Sequence, residues 1–343
     1  MKRIGFIILY WSLFVISQVP PHYYDAAQGL TGDSLKKVLH QIISSNVTVL
    51  SYSALWNAYK KTDVKPNGKI WDIYSDIPGG TPPYEYTPGT DQCGNYNSEG
   101  DCYNREHTIP ASWFNDQSPM YTDLFIVLPT DGYVNNKRSD YPYGQVSSPT
   151  WTSMNGSKLG PSSFSGYTGT VFMPIDSFKG DVARIYFYAC VRYMDRIQNW
   201  SSPVFVGNDL APWAEELFLQ WHQLDPVSTK ERMRNDSVYK IQGNRNPFVD
   251  NPSWVFSIWG PTASLSESAY PTVLVYPNPA ESEVHISGVN NNEEIFYVLS
   301  IDGKLILSTH ETTLNVSQWP SGVYFLKITT NNGEVMQKII IQH

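Results

Sequence analysis

One adjacent pair, Glu106-His107, holds the most chemically capable residues of this chain, with Arg105 directly before it. Neighbouring residues of an extended strand point to opposite sides, so this pair cannot simply chelate one ion from a regular strand. The labour can be divided instead: the carboxylate holds a hard cation, and the imidazole, kept off the metal, takes a proton from water. Hydrolysis of a phosphodiester needs such a base, a Lewis acid on the phosphoryl oxygen and cations for the developing charge. Asn135 could supply a second oxygen ligand, because on a helix begun near Thr130 the residues Asp131, Asn135 and Arg138 share one face. Spacing alone leaves a second reading open, in which His107 is a hydrogen-bonded structural histidine and Asn135 a solvated helix residue. If Glu106 is a ligand, its removal is expected to weaken metal dependence rather than folding.

The remaining histidines carry less. His22 lies near the start, His285, His310 and His343 fall in the last eighty residues or so, and His40 and His222 sit on helical patterns without a second His at ligand spacing. Neither His-Glu-x-x-His nor paired Cys-x-x-Cys occurs, which argues against a zinc hydrolase. Asn95, Asn97, Glu99, Gly100 and Glu106 fit positions 1, 3, 5, 6 and 12 of a calcium-loop template. No amphipathic helix precedes Asn95, and a Cys93–Cys102 bridge would pinch the loop. That disulfide is expected from the short separation of the two cysteines in an oxidising compartment. It leaves Cys190 over, as a buried, inert thiol among Tyr186, Phe187 and Tyr193.

The elements that must position these residues follow from periodicity. Leu35, Val38, Leu39, Ile42 and Ile43 predict a helix behind Gly32-Asp33, and a second runs over about 53–61. Residues 72–101 and 141–169 read as irregular loops rich in Gly, Pro, Tyr and Ser. A strand is predicted over Leu124–Leu128, followed by a helix start at Pro129-Thr130-Asp131. Further helices are predicted over about 181–195, 212–222 and from Asp225, as cap, with Pro226 next, to Gly243. Beyond Trp259-Gly260 short alternating strands, near 273–276, 283–286, 296–300, 323–328 and 336–341, predict a separate small β-sandwich.

Composition sets the frame. The 343 residues carry a formal charge of -8, with 16% charged and 14% aromatic residues, which excludes a disordered polyelectrolyte and a basic nucleic-acid coat protein. Lys2 and Arg3 before a largely apolar run from Ile4 to Ile16 form a secretory signal, too short to span a bilayer as a mature helix. The expected order is a signal peptide at 1–17, a catalytic domain at 18–260, a linker at 261–271 and the sandwich at 272–343. The mature chain is expected outside the cell or on its surface, without stable membrane insertion.

Two segments carry a resemblance. Tyr103-Asn-Arg-Glu-His-Thr-Ile-Pro-Ala-Ser-Trp-Phe114 and Asp123-Leu-Phe-Ile-Val-Leu-Pro-Thr-Asp-Gly-Tyr-Val-Asn135-Asn-Lys-Arg-Ser139 resemble the signature of the endonuclease I family. The likeness continues through Gly180-Asp-Val-Ala-Arg184, Tyr186-Phe-Tyr188 and Ile241-Gln-Gly-Asn-Arg-Asn-Pro-Phe248, and so covers most of residues 24–260. It implies an α+β fold, helix-rich around a ββα-metal (His-Me finger) motif, and an exported endonuclease without sequence specificity. His107 then matches the general base, and Glu106 and Asn135 match the ligands of one Mg2+-type ion, with Ca2+ and Mn2+ as other divalent options. The implied reaction cuts DNA, with RNA as an open second substrate, to 5'-phosphate ends. Phosphate affinity would come from Arg105, Lys137, Arg138, Arg184, Lys230, Arg232, Arg234 and Arg245 converging in one cleft, with Arg105, Arg138, Arg184 and Arg245 as the substrate-binding set. Ile126 departs from the family, which often has a polar residue or His there.

The C-terminal strands resemble a type IX secretion sorting domain at Tyr276-Pro-Asn-Pro-Ala280, Ser300-Ile-Asp-Gly303 and Trp319-Pro-Ser-Gly-Val-Tyr-Phe-Leu-Lys327, which implies the type IX secretion machinery as a partner. The competing view of the whole chain is a noncatalytic surface adhesin whose terminal sandwich binds carbohydrate.

Overall fold

A computed structural model describes residues 19–260, 274–287, 295–300, 304–330 and 333–343. The expected signal peptide and linker lie outside the described residues. The described chain forms two compact units, one within 19–260 and one within 274–343.

In the first unit, apolar patterns become elements where one face can be buried. Leu35, Leu39 and Ile43 repeat every fourth residue of α1 (Gly32–Ser44) and are fully buried. A short 3-10 turn at Tyr52–Ala54, capped by the Ser51 hydroxyl, leads into α2 (Leu55–Thr62). Then come β1 (Tyr103–His107), β2 (Val127–Asp131) and α3 (Gly132–Arg138). An antiparallel sheet follows from β3 (Trp151–Thr152), β4 (Lys158–Pro161) and β5 (Thr170–Met173). In α4 (Lys179–Arg192) every residue from Gly180 to Arg192 is buried, the mark of a helix enclosed by its neighbours. It contacts α1 and, after the hairpin β6 (Phe205–Val206) and β7 (Asp209–Leu210), also α5 (Pro212–Leu224). The unit closes with α6 (Thr229–Gln242), α7 (Pro247–Asp250) and α8 (Ser253–Trp259).

The departures from the sequence reading have physical reasons. The strand predicted at Leu124–Leu128 begins at Val127 instead, because the Asp123 carbonyl takes the amides of Ile126 and Val127 and turns the chain first. Asp225 does not start the helix that follows but ends α5, and its carboxylate accepts from the Gly180 amide at 2.8 Å, while Ser228 caps α6 through a reciprocal box with Glu231. Gly243 does end that helix, at φ 90°, where a side chain would be strained. The stretch 141–169, read as irregular, contains β3 and β4.

The second unit has two antiparallel sheets. The strands are β8 (Leu274–Tyr276), β9 (Glu283–Ser287), β10 (Ile295–Ser300), β11 (Leu305–Thr309), β12 (Thr313–Asn315), β13 (Gly322–Thr330) and β14 (Gly333–Ile341). They are ordered β11-β10-β13-β14 and β12-β9-β8. Val284, Ile286 and Leu314 of one sheet and Phe296, Val298, Leu326, Ile328 and Ile339 of the other share one core, so this unit is a sandwich. The strands β11 and β12 were not foreseen.

Candidate active site

Strand β1 pairs antiparallel with β2 in the register Arg105↔Pro129, Glu106↔Leu128 and His107↔Val127, and α3 packs back on β1. The Asp131 carboxylate starts that helix by accepting from the Val134 amide at 2.7 Å. Alternation along β1 decides what each neighbour does: Glu106 turns inward and is 1% exposed, while Arg105 and His107 share the opposite, half-buried face. Arg105, Glu106, His107 and Asn135 line one open cleft of about 310 Å³ with Pro110, Ala111, Ser112, Arg138, Ser139 and Asp140.

Oε1 of Glu106 accepts from the Tyr74 hydroxyl at 2.7 Å and from Nη1 of Arg138 at 3.0 Å, and the Tyr143 hydroxyl, 2.7 Å from that of Tyr74, lies 3.4 Å away. Burial holds its carboxyl above the usual range in spite of the Arg138 guanidinium beside it. The oxygen left for the cleft is Oε2. Asn135 donates its amide N–H to the Arg105 carbonyl at 3.2 Å, so what it offers is Oδ1. One carboxylate and one amide oxygen beside open solvent suit a hard cation that keeps several waters, as Mg2+ does. They do not suit a closed zinc site, and among the described residues no three His, Cys, Asp or Glu side chains converge. The donor set therefore fits a divalent ion held by Glu106 and Asn135.

His107 is fixed on two sides. Its Nε2 lies 3.0 Å from the Tyr121 carbonyl, and its ring stacks on the Tyr121 ring at 4.9 Å. A carbonyl only accepts, so Nε2 carries the proton and the lone pair sits on Nδ1. Burial pushes the imidazole down to about 4, which leaves it neutral and able to take a proton.

The expected cluster of substrate cations is not there. Arg184 is fully buried, pairs with Glu231 and Asp181, and donates to the Asp225 carbonyl. Arg245 is also fully buried, held by Asp236 and Asp250. Lys230 pairs with Asp181, and Arg234 with Asp63. Arg138 borders the cleft but is 1% exposed, and it clamps Glu106 and the carbonyls of His107 and Thr108. A guanidinium sealed from solvent cannot reach a phosphate, and Arg138, Arg184 and Arg245 are at most 1% exposed, so they are corrected from substrate contacts to interior brackets. Arg105 keeps a half-exposed place in the cleft. A larger cleft of about 640 Å³, elsewhere in the unit, carries Asp76, Glu85 and Asp225, and its Lys65 already pairs with the first two. It is the poorer place for a polyanion.

Other expectations resolve locally. Cys93 and Cys102 are joined, and Cys190 is free and buried. The calcium template does not assemble, since Glu106 faces Arg138 and Glu99 accepts from the Met154 amide at 2.7 Å. Ile126 is fully buried, and its carbonyl ties down Thr108. Tyr74 and Tyr143, which hold Glu106, lie in the stretches read as irregular, and periodicity gives no sign of them. Tyr121 acts on His107 partly through its carbonyl, which no residue type reveals.

A profile described as Endonuclease I matches residues 31–253, and one described as Secretion system C-terminal sorting domain matches residues 274–342. A protein named extracellular ribonuclease from Bacillus subtilis (strain 168) is 36% identical over 246 residues, covering 69% of this chain and 78% of its own. The protein of that name from Bacillus amyloliquefaciens is 36% identical over 247 residues, with the same coverage. A protein named endonuclease-1 from Buchnera aphidicola subsp. Baizongia pistaciae (strain Bp) is 32% identical over 128 residues, 37% of this chain and 46% of that one.

Proposed function

The chain belongs to the endonuclease I family, and from that premise we propose that it is a secreted or cell-surface, metal-dependent endonuclease in which His107 is the general base and Glu106 and Asn135 hold the ion. The observation that carries this reading is the fixed tautomer of His107: its Nε2–H is committed to the Tyr121 carbonyl, which leaves Nδ1 as the base in the cleft that Glu106 and Asn135 also line. His107 Nδ1 takes the proton from the attacking water, and the Tyr121 ring and carbonyl keep the imidazole from turning away. Glu106 is held in place by Tyr74, Tyr143 and Arg138, and Asn135 by the Arg105 carbonyl. When bound, the divalent ion supplies Lewis acidity to the phosphoryl oxygen and stabilises the departing 3'-oxygen, leaving a 5'-phosphate. We take Mg2+ as the working ion, since oxygen donors with room for water favour it.

Cleavage of DNA without sequence preference is the activity we infer from the family, and the relatives named ribonucleases make RNA the second substrate to test. The sorting tail and the relatives named extracellular point to export through the type IX machinery. Among the described residues no helix is long and apolar enough to cross a membrane. No observation favours the adhesin.

The test is plasmid cleavage by the exported protein with and without a chelator, beside a His107→Ala variant. Metal-dependent cutting is expected, with kcat reduced about 10²- to 10⁴-fold in the variant. Cutting that ignores both chelator and variant would sink the mechanism.

A further inference from the structure

Arg105 is held by two rings and a carbonyl rather than by an acid. Its guanidinium lies 3.6 Å from the Tyr52 ring centroid and 4.3 Å from that of Trp56, and its Nη1 donates to the Tyr52 carbonyl at 3.1 Å. Tyr52 and Trp56 are four apart across the turn that opens α2, which puts both rings on one side. Among the described residues no carboxylate pairs with Arg105, whereas Arg138, Arg184, Arg234 and Arg245 are each matched to an acid. Aromatic faces order a guanidinium without cancelling its charge. An ion pair would order it and cancel it. Arg105 thus brings a fixed positive charge without an acid partner to the cleft of His107 and Glu106; its Nε is buried, its Nη1 is bonded to Tyr52, and Nη2 has no protein acceptor among the described residues. Its own carbonyl also fixes Asn135.

Resting on the nuclease reading, we propose that Tyr52 and Trp56 form an aromatic clamp that aims Arg105 at a non-bridging oxygen of the scissile phosphate. Arg105 is then a catalytic residue that stabilises charge gathering on that phosphate during attack, and Tyr52 and Trp56 are its positioning residues. A planar fork is required, because its in-plane N–H groups match a phosphate edge while its faces rest on the rings.

The test uses the full chain with Mg2+ and a DNA duplex of fixed length. Arg105→Ala is expected to lower kcat about 10²- to 10³-fold, in the range for loss of one preorganised donor, with a much smaller change in KM. Arg105→Lys, which keeps the charge but not the plane, should recover little of this. Trp56→Leu should lose about tenfold in kcat, while Tyr52→Phe, which keeps ring and carbonyl, should stay near wild type. Added guanidinium ion, below denaturing concentration, should partly restore Arg105→Ala, which a purely structural role would not allow. Full activity in Arg105→Ala, or full recovery in Arg105→Lys, overturns the clamp. If Arg105→Ala does not fold, Arg105→Lys and Trp56→Leu decide: wild-type kcat in both rejects it. Wild-type protein that cuts nothing sinks the nuclease reading itself, whereas a wild type that cuts beside an equally active Arg105→Ala sinks only the clamp.

Discussion

Glu106 divides its two oxygens between the fold and the cleft. Oε1 anchors Arg138 in a pair whose side chains are both almost fully buried. Glu106→Ala would strand the Arg138 charge in the interior, so it should cost about 3 to 5 kcal/mol of stability as well as the metal response. This corrects the expectation that only metal dependence would suffer. Urea unfolding of both proteins checks it, and equal midpoints would mean that Arg138 finds other partners. At this scale the sequence was legible as far as which residues meet: Glu106, His107 and Asn135, singled out by type and spacing, line one cleft. It was not legible for Arg138, Arg184 and Arg245, because a surface and a buried arginine look alike until their partners are known.

Helix α3 carries both Asn135 and Arg138, so its start sets the site. Asp131 accepts from Val134 within the helix and, from outside it, from the Tyr86 hydroxyl at 2.5 Å and the Gly100 amide at 2.9 Å. Asp131→Ala should lose about 1 to 2 kcal/mol from the cap alone, with weaker activity because Asn135 shifts. Guanidinium unfolding beside a plasmid assay measures both, and unchanged stability would show the cap to be dispensable. Next to it, Asp72 accepts from the Asp131 amide at 3.0 Å, and its carboxyl is pushed up to about 7, by burial first and by the Asp131 carboxylate second. An acid raised on folding contributes stability that is complete at low pH and is lost as pH rises from the unfolded value near 4 through about 7. Stability of wild type relative to Asp72→Asn should therefore fall over that interval. A difference that stays flat, or rises, in urea melts at several pH values rejects this.

For the whole molecule the net charge of -8 is less of a paradox than it first looks, since the arginines expected to offset it for a polyanion are spent inside. Eight phosphate contacts would give a salt dependence of log K near -7, whereas the three cations of that set that keep some exposure, Arg105, Lys137 and Arg232, predict a slope of about -3. Titrating duplex binding by a His107→Ala variant against salt measures it. A slope near -7 would mean that cations outside the set supply the contacts.

The sequence by itself determined the two-part plan, the helix-rich unit followed by strands, and the Glu-His and Asn pair of motifs. These rest on local period, turn residues and side-chain type, all of which act within a few residues. Only the tertiary structure decided which of the named cations are buried, that Tyr74 and Tyr143 hold Glu106 and Tyr121 holds His107, and which nitrogen of His107 carries the proton. Those outcomes depend on burial and on carbonyls and hydroxyls brought together from distant parts of the chain, and no local pattern encodes them.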